Sequence, residues 1–166
     1  MEEQYFEQIV EKQNERNIAF CRIAIVIVVV LLFLPAFLLG ISGFILIAIV
    51  AGAVGFGFIL PRFYVEYEYL YMTGEFSVDR IYNKESRKKA GNWELTNMEV
   101  MARAEDIDSL KGLPQPQAVL DFTSGRGDEG VYVIAMKDQK HTQIRIEPNE
   151  DILKAIRQRF PRQAKY

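Results

Sequence analysis

The chain has 166 residues, 49% of them apolar, and its 20 basic and 22 acidic side chains leave a formal charge of −2. This balance excludes a basic nucleic-acid binder and a highly charged disordered chain, and a single cysteine (Cys21) and a single histidine (His141) exclude a disulfide framework and a Cys/His zinc site. The averages conceal a segregation, because residues 23–60 carry no charged side chain, and the chain therefore reads as a membrane protein.

Residues 1–17 mix five glutamates with Lys12 and Arg16, and the apolar positions Tyr5, Phe6, Ile9 and Val10 follow helical spacing, which predicts a short amphipathic helix with a solvated polar face. Its acidic start does not fit a secretory signal. Residues 18–61 then form the apolar stretch. As one helix, Ile23 to Leu60 would extend about 57 Å, nearly twice the hydrocarbon thickness, so it must fold back as two spans. Gly40, Ser42 and Gly43 mark the break, giving helices of about 18–39 and 41–60, the second starting at Ile41 or Phe44. A re-entrant hairpin that does not fully cross is the alternative. Pro35 predicts a kink in the first helix. In the second, Ala48, Gly52, Gly55 and Gly57 are candidate helix-packing residues, serving either the partner helix of the hairpin or another membrane protein, including a second copy.

Lys12, Arg16 and Arg22 precede the first span, and Arg62 and Arg80 follow the second, whereas the connecting loop has no basic residue. Both termini are therefore expected in the cytoplasm of a two-span, multi-pass cell-membrane protein. Cys21 falls at the cytoplasmic interface and is expected reduced and unpaired, with lipidation as the alternative.

Residues 62–166 are long enough for a core of their own and are dominated by strand patterns. Tyr64 to Met72 alternates, placing Val65, Tyr67, Tyr69 and Tyr71 on one face and Glu66 and Glu68 on the other. Thr73-Gly74 is a tight turn into a strand over Glu75 to Asn83. A third strand is expected from near Trp93 to Ala102, then a loop over 103–117, then strands over Ala118–Thr123, Val131–Lys137 and His141–Glu147. Pro148 opens an amphipathic helix through Ile152, Leu153, Ile156 and Phe160 that ends before Pro161. The fold class is therefore α+β: a transmembrane helical hairpin followed by an antiparallel sheet or partial barrel closed by a C-terminal helix.

The order of elements resembles the bacterial pleckstrin-homology-like (PH-like) domains that follow transmembrane hairpins. The stretch YEYLYMTGEFSVDRIYNKESRKK, with the MEEQYFEQIV start and the NEDILKAIRQRFPR end, resembles a family of short two-helix membrane proteins from Gram-positive, mainly clostridial, bacteria. The resemblance implies a fold and a location, and it supplies no catalytic residues to carry over.

Lys84, Arg87, Lys88 and Lys89 form the densest cationic cluster, a candidate contact for anionic lipid, with a plain solvated loop as the alternative. Gly125-Arg126-Gly127 lacks the Lys-Ser/Thr and helix of a phosphate loop, and Asp106 and Asp108 lack the calcium-loop pattern. His141 falls on the polar face of its strand and reads as an ordinary exposed histidine. Ser77, Ser86, Ser109 and Ser124 have no nucleophile-elbow motif. No catalytic, cofactor or metal residue is assigned. The function expected is non-enzymatic interaction, as an adaptor or scaffold anchored in the bilayer and engaging a membrane protein or itself. The alternatives are inner-leaflet lipid binding and an accessory role in a transporter or envelope complex.

Overall fold

A computed structural model describes residues 5–40 and 43–166. They divide into a sheet unit of residues 5–13, 66–81 and 87–166 and a helical unit of residues 14–40, 43–65 and 82–86.

In the sheet unit the N-terminal segment is a strand, β1 (Tyr5–Glu11), rather than the amphipathic helix that its spacing allowed. It pairs antiparallel with β2 (Val65–Met72), from Tyr5 opposite Met72 to Glu11 opposite Glu66. Exposure alternates along it: Phe6, Gln8 and Val10 turn inward, while Tyr5, Glu7, Ile9 and Glu11 turn outward. The inward amide of Gln8 is satisfied, since its Nε2 donates to the Glu147 carbonyl at 2.8 Å and its Oε1 accepts from the Asn149 N–H at 2.7 Å. The domain expected over 62–166 is thus completed by β1, and the apolar hairpin is an insertion between two paired strands.

The first sheet runs β1-β2-β3-β4, with β3 at Glu75–Tyr82 and β4 at Ser86–Glu94. Thr73 and Gly74, both at positive φ, make the expected turn from β2 to β3. The strand expected over 93–102 is in fact two, because one 3₁₀ turn, Leu95–Asn97, carries the chain out of the first sheet and into β5 (Met98–Arg103) of the second. That second sheet adds β6 (Val119–Asp121), β7 (Tyr132–Met136), β8 (Gln143–Ile146) and β9 (Ala164–Lys165) in the order β6-β8-β7-β5-β9. It is mixed rather than wholly antiparallel: β6 lies parallel to β8 and β9 parallel to β5, each reached by a longer connection than a hairpin. The loop over 103–117 holds one short helix, α3 (Ile107–Leu110), capped by Asp106. The last helix, α4 (Glu150–Arg159), starts from an Asn149 cap whose side chain accepts from the Ile152 N–H and lies within the predicted bounds. The two helices of the hairpin are α1 (Glu15–Leu39) and α2 (Gly43–Val54).

The core joins Tyr67, Tyr69 and Tyr71 of β2 with Phe76 and Val78 of β3, and with Met101, Ile134 and Ile144 from the second sheet, while α4 buries Ile152 and Ile156. Tyr69 is fully buried, and its phenol donates to the Phe122 carbonyl at 2.6 Å and accepts from the Glu147 N–H at 3.2 Å. The buried hydroxyl keeps two partners, and burial pushes its ionisation far above the ordinary tyrosine range.

In the helical unit, α1 passes through Pro35 without a break in the helix and ends on Gly40 at φ 66°. The expected start of the second helix at Ile41 lies outside the described residues. Beyond α2 the helix continues as a π-turn (Gly55–Ile59) and a 3₁₀ turn (Leu60–Phe63). Pro61 is the cause that the sequence offers: it has no N–H for the Gly57 carbonyl, and the Leu60 N–H instead reaches the Gly55 carbonyl. The helical runs Arg16–Leu39 (24 residues) and Gly43–Phe63 (21 residues) are long and apolar enough to cross a membrane by length and composition. They are antiparallel, with Gly55 against Ile25 and the Asn14 side chain donating to the Phe63 carbonyl at 3.3 Å.

Candidate functional site

The cationic cluster forms around the β3–β4 turn. Asn83 (φ 52°) and Lys84 (φ 58°) both adopt the left-handed conformation that a two-residue hairpin turn needs, and asparagine tolerates it well. The Glu85 N–H closes the turn on the Tyr82 carbonyl at 3.1 Å. Within the helical unit this turn is tied to the residue that follows the second helix, because the Asn83 N–H donates to the Tyr64 carbonyl at 2.9 Å.

Arg87, Lys88 and Lys89 lie on β4, where alternation sends Lys88 to the face opposite Arg87 and Lys89. All three are exposed, and Arg87 is engaged: its guanidinium contacts Glu68 Oε1 at 2.7 Å. The four cations therefore do not act as one equivalent set. Glu68 itself was expected on the solvent face of β2, but it is only 1% exposed. The sequence pattern missed it because β1, read as a helix, is the strand that lies beside it, with Ile9 opposite Glu68. Burial raises the Glu68 pKa, Arg87 pulls it down, and neighbouring Glu7 raises it further. Among the described residues its Oε2 has no hydrogen-bond partner.

Of the helix-packing candidates, Ala48 is 2% exposed, a Cβ on Gly52 would touch Val29 at 3.5 Å, and one on Gly55 would meet Ile25 at 2.8 Å. These three face α1. Gly57 does not, since a Cβ there would have nothing within 4 Å. It lines instead a cavity with Phe58, Pro61, Arg62, Tyr82 and Asn83, a feature that the spacing of small residues gave no means of finding.

The other sequence candidates resolve into local structure. Asp106 caps α3 by accepting from the Ser109 N–H, and the Ser109 hydroxyl together with that N–H holds its carboxyl below the usual range. Asp128 of the glycine loop pairs with Arg145. His141 is half-buried rather than exposed. It sits at φ 47° in the turn before β8, where Asp138 accepts from the Thr142 N–H at 2.8 Å, and its Nδ1 is buried. Trp93 is half-buried against Phe122, with ring centroids 5.8 Å apart. Among the described residues no group of three or more His, Cys, Asp or Glu side chains is placed to hold a metal ion.

Comparison with curated proteins and with solved structures returned no match. The two sheets closed by a C-terminal helix have their counterpart at the level of the family. Residues 2–166, β1 and the inserted hairpin included, match the family described as a bacterial PH-like domain (DUF6106), and the chain belongs to that family.

Proposed function

We propose that this is a non-enzymatic, membrane-anchored interaction protein. Its two apolar helices cross the bilayer, both termini are cytoplasmic, and its PH-like domain is presented at the inner leaflet to a membrane-protein partner. The observation that carries this reading is the insertion of the hairpin between the paired strands β1 and β2. Two short links, residues 12–14 and Tyr64, join sheet to helices, so the domain is held to the bilayer at two adjacent points. Anchoring of this kind raises the local concentration of the domain near any membrane partner, and a weak interface can then be occupied.

A second reading, contact of the basic turn with anionic lipid, is supported by the Asn83–Tyr64 hydrogen bond, which fixes that turn beside the end of the second helix. Each exposed lysine there would gain about 1 kcal/mol at an anionic surface.

The test is two-sided labelling in a Cys21→Ser background. A cysteine at Ser42 should react with a membrane-impermeant maleimide in intact cells, and a cysteine at Lys137 only after permeabilisation. Purification in mild detergent should then retain a partner at fixed stoichiometry. Labelling of both sites from the same side would remove the two-span reading, and a solitary protein would remove the adaptor role.

A further inference from the structure

We propose that the end of the second helix and the β3–β4 turn together form a binding site for one anionic phospholipid, with Arg62 holding its phosphate. The proposal rests on the two-span reading and goes beyond diffuse attraction to the basic turn. The cavity measures about 490 Å³. Phe58, Pro61 and Tyr82 supply apolar wall, and Arg62, Asn83 and Ser86 supply polar groups. All of these residues belong to the helical unit.

Two local features build the cavity. On the helix side, Pro61 ends regular α-helical hydrogen bonding, and the resulting π-turn carries Gly57, which has no side chain to fill the space. On the turn side, the wall is fixed by backbone hydrogen bonds: Tyr64 N–H to the Pro61 carbonyl at 3.1 Å, Asn83 N–H to the Tyr64 carbonyl at 2.9 Å, and Glu85 N–H to the Tyr82 carbonyl at 3.1 Å. A site so held is organised before the ligand arrives, which lowers the ordering cost of binding.

Depth selects the ligand. The run Gly43–Phe63 has 21 residues. At about 1.5 Å per residue it covers about 32 Å, close to the hydrocarbon thickness. Arg62 is its penultimate residue and therefore reaches the phosphate level, whereas Phe58, 69% exposed and about one turn earlier, faces the acyl region. The cavity straddles that boundary as a phospholipid does, and a guanidinium matches a phosphate with two parallel hydrogen bonds. Glu85 lines the same cavity and opposes an anion, which leaves Arg62 as the residue that decides for one.

The experiment is native mass spectrometry of the full chain from detergent micelles holding equal phosphatidylglycerol and phosphatidylcholine. The wild type should retain one phosphatidylglycerol in preference to phosphatidylcholine. R62Q should lower that retention about tenfold, the size expected for one charge-assisted hydrogen-bonded pair, and R62K should recover part of it. G57L, which fills the cavity without altering charge, should lower it as well. A K88Q/K89Q double variant should leave it unchanged. Equal retention of the two lipids, wild-type retention by R62Q or by a folded G57L, or loss confined to K88Q/K89Q would each overturn the site. Failure of the underlying reading is distinguishable, because it appears in the cysteine-labelling pattern, which none of these variants alters.

Discussion

Glu68 is a carboxylate that the fold buries beside one arginine and a second carboxylate, Glu7. Because burial outweighs Arg87, its pKa in the folded chain lies above the value of about 4.5 that an exposed glutamate has. The folded state then holds its proton to higher pH than the unfolded state does. The stabilising contribution is present in full below about pH 4.5 and is lost as the pH rises through the raised pKa. E68Q cannot ionise, so melting temperatures of the detergent-solubilised protein should diverge in favour of the variant as pH rises from acid to neutral. A constant difference across that range would contradict the assignment. Alternation along YVEYEYLYM identified the tyrosine face correctly and the glutamate face only in part, since one strand's periodicity says which side chains share a face but not what covers it.

At the scale of elements, the helices, β2, β3, β7, β8 and the capping helix were legible because the sequence punctuates them with turn and helix-start residues: Gly40, Thr73-Gly74, Pro148. β1 was not. Tyr5, Phe6, Ile9 and Val10 fit the helical period, and the strand's inward face interposes Gln8, whose polarity makes sense only through its bonds to Glu147 and Asn149, far along the chain. The parallel pairings of β6 and β9 were hidden for the same reason, being settled by partners and not by local sequence. The small-residue stripe of α2 was visible, but its partner was not. Gly55 against Ile25 now predicts that G55L forces the two helices apart, while G57L, whose Cβ meets open space, leaves the hairpin intact. Disulfide crosslinking between cysteines introduced at Val29 and Gly52 should fall in G55L and persist in G57L; equal crosslinking in both would contradict the packing.

For the molecule as a whole, the deciding relation is between residues 11 and 66, which lie opposite each other in the first sheet although the entire hairpin separates them in sequence. Replacing residues 12–65 with Asn-Gly would close β1 and β2 into an ordinary two-residue hairpin. That spliced chain should remain monomeric in water without detergent, as judged by size-exclusion chromatography, and protect β2 amides from exchange. The fragment 62–166, with the β2 edge unpaired, should self-associate. Aggregation of the spliced chain to the same extent as the fragment would refute the role given to β1.

The same insertion orders events during synthesis. β1 leaves the ribosome before both apolar helices, yet its partner β2 is made only after them, so β1 must wait, unpaired, through the whole of hairpin synthesis. Completion of the sheet thereby reports that both helices have been made and that their ends have been brought back together. A chain whose hairpin is left incomplete keeps an open strand edge, the kind of exposed template that quality-control proteases and chaperones engage.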